Sequence, residues 1–273
     1  MDRRQLARQL SAIENGELQA VDCDGLVIAI TGPPGVGKSC LVDGILHRLT
    51  PENKVAVLAV DPTSPISGGA LLGDRIRLTV LDDKTKAESI YVRSIATRSS
   101  SGSIPSIVKG LANHLLANNY DMVLIETVGA GQSEMRCAAI ANRIVVVEGP
   151  GRGDGIQAEK AGLLELADLI VVNKSDMEGA EKVVNDLTVS LTITDDAPPV
   201  IRTSAISGEG LDELSNMIMN LEDRTTSRRA RARQQLLMAH ENILIQNPAF
   251  ESILDRMSEE GLVLEEALRQ LNE

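Results

Sequence analysis

The sequence predicts an α/β chain: a doubly wound, mostly parallel sheet with an N-terminal helical lead-in and a C-terminal helical extension. Three observations predict this class. Short, continuous apolar runs recur at 26–30, 55–60, 90–93, 121–126, 143–148, 168–172 and 199–202, the pattern of strands buried on both faces. Segments with helical spacing lie between most of them, for example Ile104 to Asn118 and Glu178 to Leu191. Strand signals stop at Asp223, and the helical stretches beyond it are broken near Asn247-Pro248 and Gly261. Strands alternating with helices build parallel units, and a terminal run of helices builds an appendage. The boundaries read from this are a lead-in over 1–20, a main domain over 21–222 and an extension over 223–273.

Taken in order, the lead-in places Leu6, Leu10 and Ile13 on one helical face. The first strand, Leu26 to Ile30, runs straight into Gly32-Pro33-Pro34-Gly35-Val36-Gly37-Lys38-Ser39. Lys38 to Leu49 then carries Leu41, Ile45 and Leu49 along one face. Strand, glycine-rich turn and helix are the context that a phosphate-binding loop requires. Glycines let backbone N–H groups close around phosphate oxygens, and the helix N-terminus adds partial positive charge. Gly35, Val36, Gly37, Lys38, Ser39 and Cys40 are therefore the expected nucleotide-binding residues. Lys38 would reach the β- and γ-phosphates, and the Ser39 hydroxyl would ligate Mg²⁺. A Gly/Pro turn that binds nothing is the bland alternative, and the strand and helix flanking it count against that.

Further on, the strand-like run Asp168 to Val172 ends in Asn173-Lys174-Ser175-Asp176. Ligands collect at the carboxyl ends of strands in open α/β sheets. The Asp176 carboxylate can accept from the N1–H and exocyclic amine of guanine, an edge adenine does not offer. Asn173 would face N7, and the Lys174 stem would cover the base. Alone, these four residues read equally as a polar turn before a helix; following a phosphate loop, they read as a guanine site. Thr203-Ser204-Ala205 comes after the strand-like Val200-Ile201-Arg202, and Ser204 and Ala205 would supply the last backbone contact to the guanine oxygen. Loop and base elements in this order predict a P-loop NTPase of the G-domain type that uses Mg²⁺ with GTP and GDP.

Composition sets limits. The 273 residues are 43% hydrophobic but 1% aromatic, so Leu, Ile, Val and Ala must build the core and base-stacking platforms are scarce. A net charge of −12 argues against a nucleic-acid surface. The Arg228-Arg229-Ala230-Arg231-Ala232-Arg233 cluster is the exception and reads as a solvated helix face or a partner contact. Cys23, Cys40 and Cys137 show neither pairing nor metal spacing, which points to a reduced compartment. With no signal peptide and no twenty-residue apolar run, the expectation is a cytoplasmic chain that binds no membrane.

The segments between the two nucleotide motifs are more specific. Leu58-Ala59-Val60-Asp61-Pro62-Thr63-Ser64-Pro65 is followed by Gly68-Gly69-Ala70-Leu71-Leu72-Gly73-Asp74-Arg75, and a strand ending at Ile125 leads into Glu126-Thr127-Val128-Gly129-Ala130-Gly131-Gln132-Ser133. With Gly151 to Gly162 and the lead-in Arg3 to Glu14, these closely resemble the G-protein chaperones of adenosylcobalamin-dependent acyl-CoA mutases, the MeaB/ArgK/MMAA family. The resemblance spans residue 1 to about 215 and is weakest in the tail. It implies that Lys38 and Ser39 serve phosphate and Mg²⁺, and that Asp61, Asp74 and Glu126 surround the metal and γ-phosphate. It places Gln132 in the nucleotide-sensing segment, and Asp154 and Lys160 in a switch that couples hydrolysis to the mutase. It also implies a homodimer. The bland reading of each acid is a cap or solvated side chain, and of Lys160 a surface lysine on a helix. Ala130 stands where the family usually has valine, and 98–105 is poorer in glycine than in relatives.

Hydrolysis needs charge stabilisation and an oriented water. Lys38, Mg²⁺ and the loop amides would supply the charge, but no glutamine directly follows Gly129 and Gln132 stands two places later. Arg93 and Arg98 are the in-chain candidates for an arginine finger. The expectation is slow intrinsic hydrolysis that a partner raises. Two rival readings are a P-loop small-molecule kinase and a nickel-insertion accessory GTPase. The guanine element speaks against the first. The second needs a Cys/His cluster, whereas Cys23, Cys40, Cys137, His47, His114 and His240 are scattered.

Overall fold

Seven strands, β1 (Leu26–Thr31), β2 (Val55–Asp61), β3 (Ile90–Ala96), β4 (Met122–Glu126), β5 (Arg143–Glu148), β6 (Leu169–Val172) and β7 (Val200–Arg202), form one sheet. Their spatial order is β3-β2-β4-β1-β5-β6-β7, and every pairing is parallel. The computed structural model describes residues 2–61, 78–96, 107–127, 135–151, 158–191 and 196–272, with backbone alone at 61, 158–161 and 272. Each apolar run of the sequence is a strand. β3 continues to Ala96, three residues beyond its run, because β2 offers a partner through Asp61.

The described helices are α1 (Arg3–Glu14), α2 (Lys38–Leu49), α3 (Lys84–Glu88), α4 (Ile107–Ala117), α5 (Ala158–Leu166), α6 (Ala180–Leu191), α7 (Leu211–Met219), α8 (Thr225–Gln246), α9 (Phe250–Glu259) and α10 (Leu264–Asn272). Two hydrophobic cores result, one on each face of the sheet. Val27 and Ala29 of β1 point into a core with residues of α1, α4, α5 and α6, while Ile28 and Ile30 point into another with residues of α2 and α7. This alternation within an unbroken apolar run is what burial on both faces requires. The short α3 and the 3-10 turns Thr79–Asp82 and Cys137–Ala139 were not legible beforehand, since one turn shows no period.

The lead-in is part of the core, not a loose arm. Leu6, Leu10 and Ile13 are all buried, each stabilising by about 1.5–3 kcal/mol. Arg93 of β3 fastens it: its guanidinium donates to Glu14 and, at 3.1 Å, to Ser11 Oγ. Burial pulls its pKa down, but the Glu14 hydrogen bond and charge outweigh this and raise it. Arg93 is thus committed to α1, which removes it as an arginine finger; Arg98 lies outside the described residues.

The arginine cluster also differs from expectation. Arg228, Arg229 and Arg233 are solvated, whereas Arg231 is buried at 5% exposure. Its guanidinium donates to Asp168 at 2.7 Å and also pairs with Asp223. Burial holds its pKa below the usual guanidinium value, with Asp168 pulling the other way. Asp168, just before β6, further accepts from Ser227 Oγ (2.6 Å) and the Ile144 amide (2.8 Å), so one carboxylate joins α8 to the sheet.

Candidate nucleotide-binding site

β1 lies between β4 and β5, and its carboxyl end opens where connections diverge to either side of the sheet, the usual ligand position in such folds. Two glycines of the loop are required by geometry. Gly32 has φ 139°, and a Cβ there would stand 2.1 Å from the Val147 carbonyl oxygen. Gly37 has φ 92°, and a Cβ would stand 2.6 Å from Asn173 Nδ2. Gly37 is also the N-cap of α2 and provides no side-chain cap, which suits the first-turn amides to an anion. Lys38 is buried, its ammonium donating to the carbonyls of Gly32 (2.7 Å) and Pro33 (3.0 Å), which holds the charge over the loop. Cys40 lies exposed on the first turn of α2. Gly37→Ala is expected to destabilise the chain by about 1–3 kcal/mol through backbone strain alone, with weaker nucleotide binding because Asn173 is displaced. Thermal unfolding and GDP titration of the purified variant check this; wild-type values for both would show that the loop relaxes freely.

Ser39 and Glu126 come together from α2 and the end of β4, with Ser39 Oγ donating to Glu126 Oε1 at 2.5 Å. Beside them, Thr127 Oγ1 donates to Thr31 Oγ1 at 2.9 Å in a buried link between β1 and β4. A hydroxyl and a carboxylate oxygen at the mouth of a phosphate loop are hard donors, the set Mg²⁺ takes together with phosphate oxygens and water. The residues present fit that ion. Asp61 ends β2 on the same edge of the sheet, described by its backbone. Lys160 lies in the first turn of α5, also by its backbone, while Asp74, Gln132 and Asp154 fall outside the described residues.

The base-side elements converge on one buried residue. Asn173 Nδ2 donates to the Val36 carbonyl at 2.8 Å, and Asn173 Oδ1 accepts from the Ala205 amide at 3.1 Å and Thr203 Oγ1 at 3.3 Å. Beside the expected contact to N7, for which the second Nδ2 hydrogen stays available, the carboxamide braces the phosphate loop against the Ser204-Ala205 loop. Lys174, at φ 61°, donates from Nζ to the Gly35 carbonyl at 2.7 Å, laying its stem across the gap. Asp176 is exposed, with its carboxylate available at the rim. The Ser204 amide is engaged by the Glu209 carbonyl (2.9 Å), and Ser175 Oγ by the Glu209 carboxylate (3.2 Å). Glu209 is thus a second brace that sequence reasoning missed, and a lone surface glutamate gives no signal for it. Among the described residues, no group of three or more His, Cys, Asp and Glu is placed to hold a metal, and no helix is long and apolar enough to cross a membrane.

Comparison with known proteins agrees with this geometry. The model of the family described as methylmalonyl-CoA mutase-associated GTPase MeaB matches residues 5–261. A Pyrococcus abyssi protein named as a GTPase is 38% identical over 234 residues, covering 80% of this chain and 71% of that one. GTPase ArgK of Escherichia coli K12 is 35% identical over 221 residues, covering 77% and 66%. Among solved structures, one described as a LAO/AO transport system kinase superposes with a TM-score of 0.62 at 25% identity, covering 99% of this chain and 92% of that one. HypB from Helicobacter pylori, solved in complex with nickel, has a TM-score of 0.53 at 18% identity over 80% of this chain and 93% of its own, a likeness of fold alone.

Proposed function

This chain belongs to the family of methylmalonyl-CoA mutase-associated GTPases, and on that footing we propose that it is a Mg²⁺-dependent GTPase serving as G-protein chaperone to a cobalamin-dependent acyl-CoA mutase. Hydrolysis of GTP would be coupled to loading the mutase with its cofactor or protecting it. The observation that carries the nucleotide half is Asn173: one buried carboxamide makes phosphate loop and base loop a single brace. The family match supports the client half.

Each residue then has a role. Asp176 accepts from the guanine edge, and the Lys174 stem covers the base. Lys38 and the amides of Gly35 to Cys40 cradle the β- and γ-phosphates. Ser39 and Glu126 hold Mg²⁺, with Asp61 and Asp74 around it; when bound, the ion neutralises charge on the phosphate oxygens. Gln132 belongs to the segment that senses the nucleotide, and Asp154 and Lys160 belong to the segment that answers the partner. Since Arg93 is committed to α1, intrinsic turnover is slow and a partner raises it. The tail exposes Leu236 and Ile243 on one face of α8, with Leu237 beside them, apolar surface suited to a homodimer.

The test is GTP turnover of the purified chain with and without a cobalamin-dependent mutase. Turnover should rise on the order of tenfold or more with the cognate mutase. Hydrolysis indifferent to every such mutase would remove the chaperone role and leave the GTPase. Absence of any GTP hydrolysis would remove both.

A further inference from the structure

α8 is built inside out. Its seam against the rest of the molecule is largely polar: Ser227 and Arg231 meet Asp168, and Glu241 accepts from Arg136 at 2.9 Å. Among the described residues, only Ala230 and Met238 of this helix join the apolar core from that side, while Leu236 and Ile243 face outward and Leu237 is also exposed. Ion pairs depend on the placement of single atoms, whereas an apolar seam tolerates sliding.

α8 rests on two elements, the 3-10 turn Cys137–Ala139 and α5. The turn follows the stretch that begins at Glu126, and α5 follows the one containing Asp154. Met135 joins the two supports, its Cε lying 3.4 Å from the point where a Cβ on Gly162 would stand. Arg136 is the charged residue at this junction, and its partner is on α8.

We propose that α8 is the element through which nucleotide state reaches the tail, with the Arg136–Glu241 ion pair as its state-dependent latch. The inference rests on the GTPase reading. Nucleotide acting on the end of β4 alters the strength of the pair, and by reciprocity the pair alters the preference between GTP and GDP.

The test is the ratio of affinities for a non-hydrolysable GTP analogue and for GDP, by calorimetry on the full chain. Arg136→Gln and Glu241→Gln are each expected to change that ratio by about two- to fivefold, the range of a half-exposed pair, and by the same factor. The exchanged variant, Arg136→Glu with Glu241→Arg, should return toward wild type. Glu266→Gln, which breaks a pair with Arg269 confined to α10, should leave the ratio unchanged. General loosening affects both affinities alike and cancels in the ratio. An unchanged ratio in both single variants, or equal shifts in the Glu266 variant, overturns the latch. A wild-type chain that binds neither nucleotide overturns the GTPase reading and the latch with it.

Discussion

Lys38→Ala is expected to lower kcat/KM for GTP by about 100-fold or more, the scale seen when one preorganised donor to a developing anion is removed. Lys38 as a residue is 6% exposed, and its ammonium is held over the loop by the Gly32 and Pro33 carbonyls, so its charge acts with little screening by water. The loss should fall on turnover and nucleotide binding, with little effect on folding. Its carbonyl partners at Gly32 and Pro33 lie in a loop where water can take over. Steady-state GTPase rates at saturating Mg²⁺, with a thermal melt alongside, provide the check. Lys38→Arg should not rescue, because a planar fork does not replace a compact ammonium in a glycine cradle. A variant within threefold of wild type would mean that the loop is not the catalytic phosphate site.

The second large effect is one of stability. Asp168→Ala is expected to destabilise the chain by about 3–5 kcal/mol, the cost of leaving one member of a buried ion pair alone. Asp168 is 1% exposed and satisfies the Arg231 guanidinium, the Ser227 hydroxyl and the Ile144 amide at once. Without it, a guanidinium already disfavoured by burial keeps, among the described residues, only Asp223 as an anionic partner. Urea unfolding should show a lower midpoint at nearly unchanged slope. The double variant Asp168→Leu with Arg231→Met should recover much of the loss, since replacing both charges removes the desolvation cost along with the pairing. A loss below about 1 kcal/mol in the single variant would place this pair among ordinary surface bridges.

Strand order shows why the sequence was readable where it was. The apolar runs fixed which segments are strands, because in a parallel sheet covered on both faces nothing but an apolar residue is stable at most central positions. Their adjacency was not readable: β1 lies between β4 and β5, with β4 inserted between it and its sequence neighbour β2, and no local pattern encodes that. Lys38 and Ser39 were legible because a phosphate cradle is made by consecutive residues. Asn173 was legible as a site residue, but its bracing of the two loops was not, since its partners Val36 and Ala205 come from distant turns. Arg93 was legible only as a candidate for the same reason, its partner lying on α1.

The sequence by itself determined the fold class, the phosphate loop, the guanine element and the family, because each is written in contiguous residues whose chemistry is local. Only the tertiary structure decided that the lead-in helix belongs to the core, that Asp168 and Arg231 bind the tail to the sheet, and that α8 turns its polar side inward. Those outcomes depend on which distant charges meet away from water. A buried arginine and a solvated one are the same letter until the chain has closed around one of them.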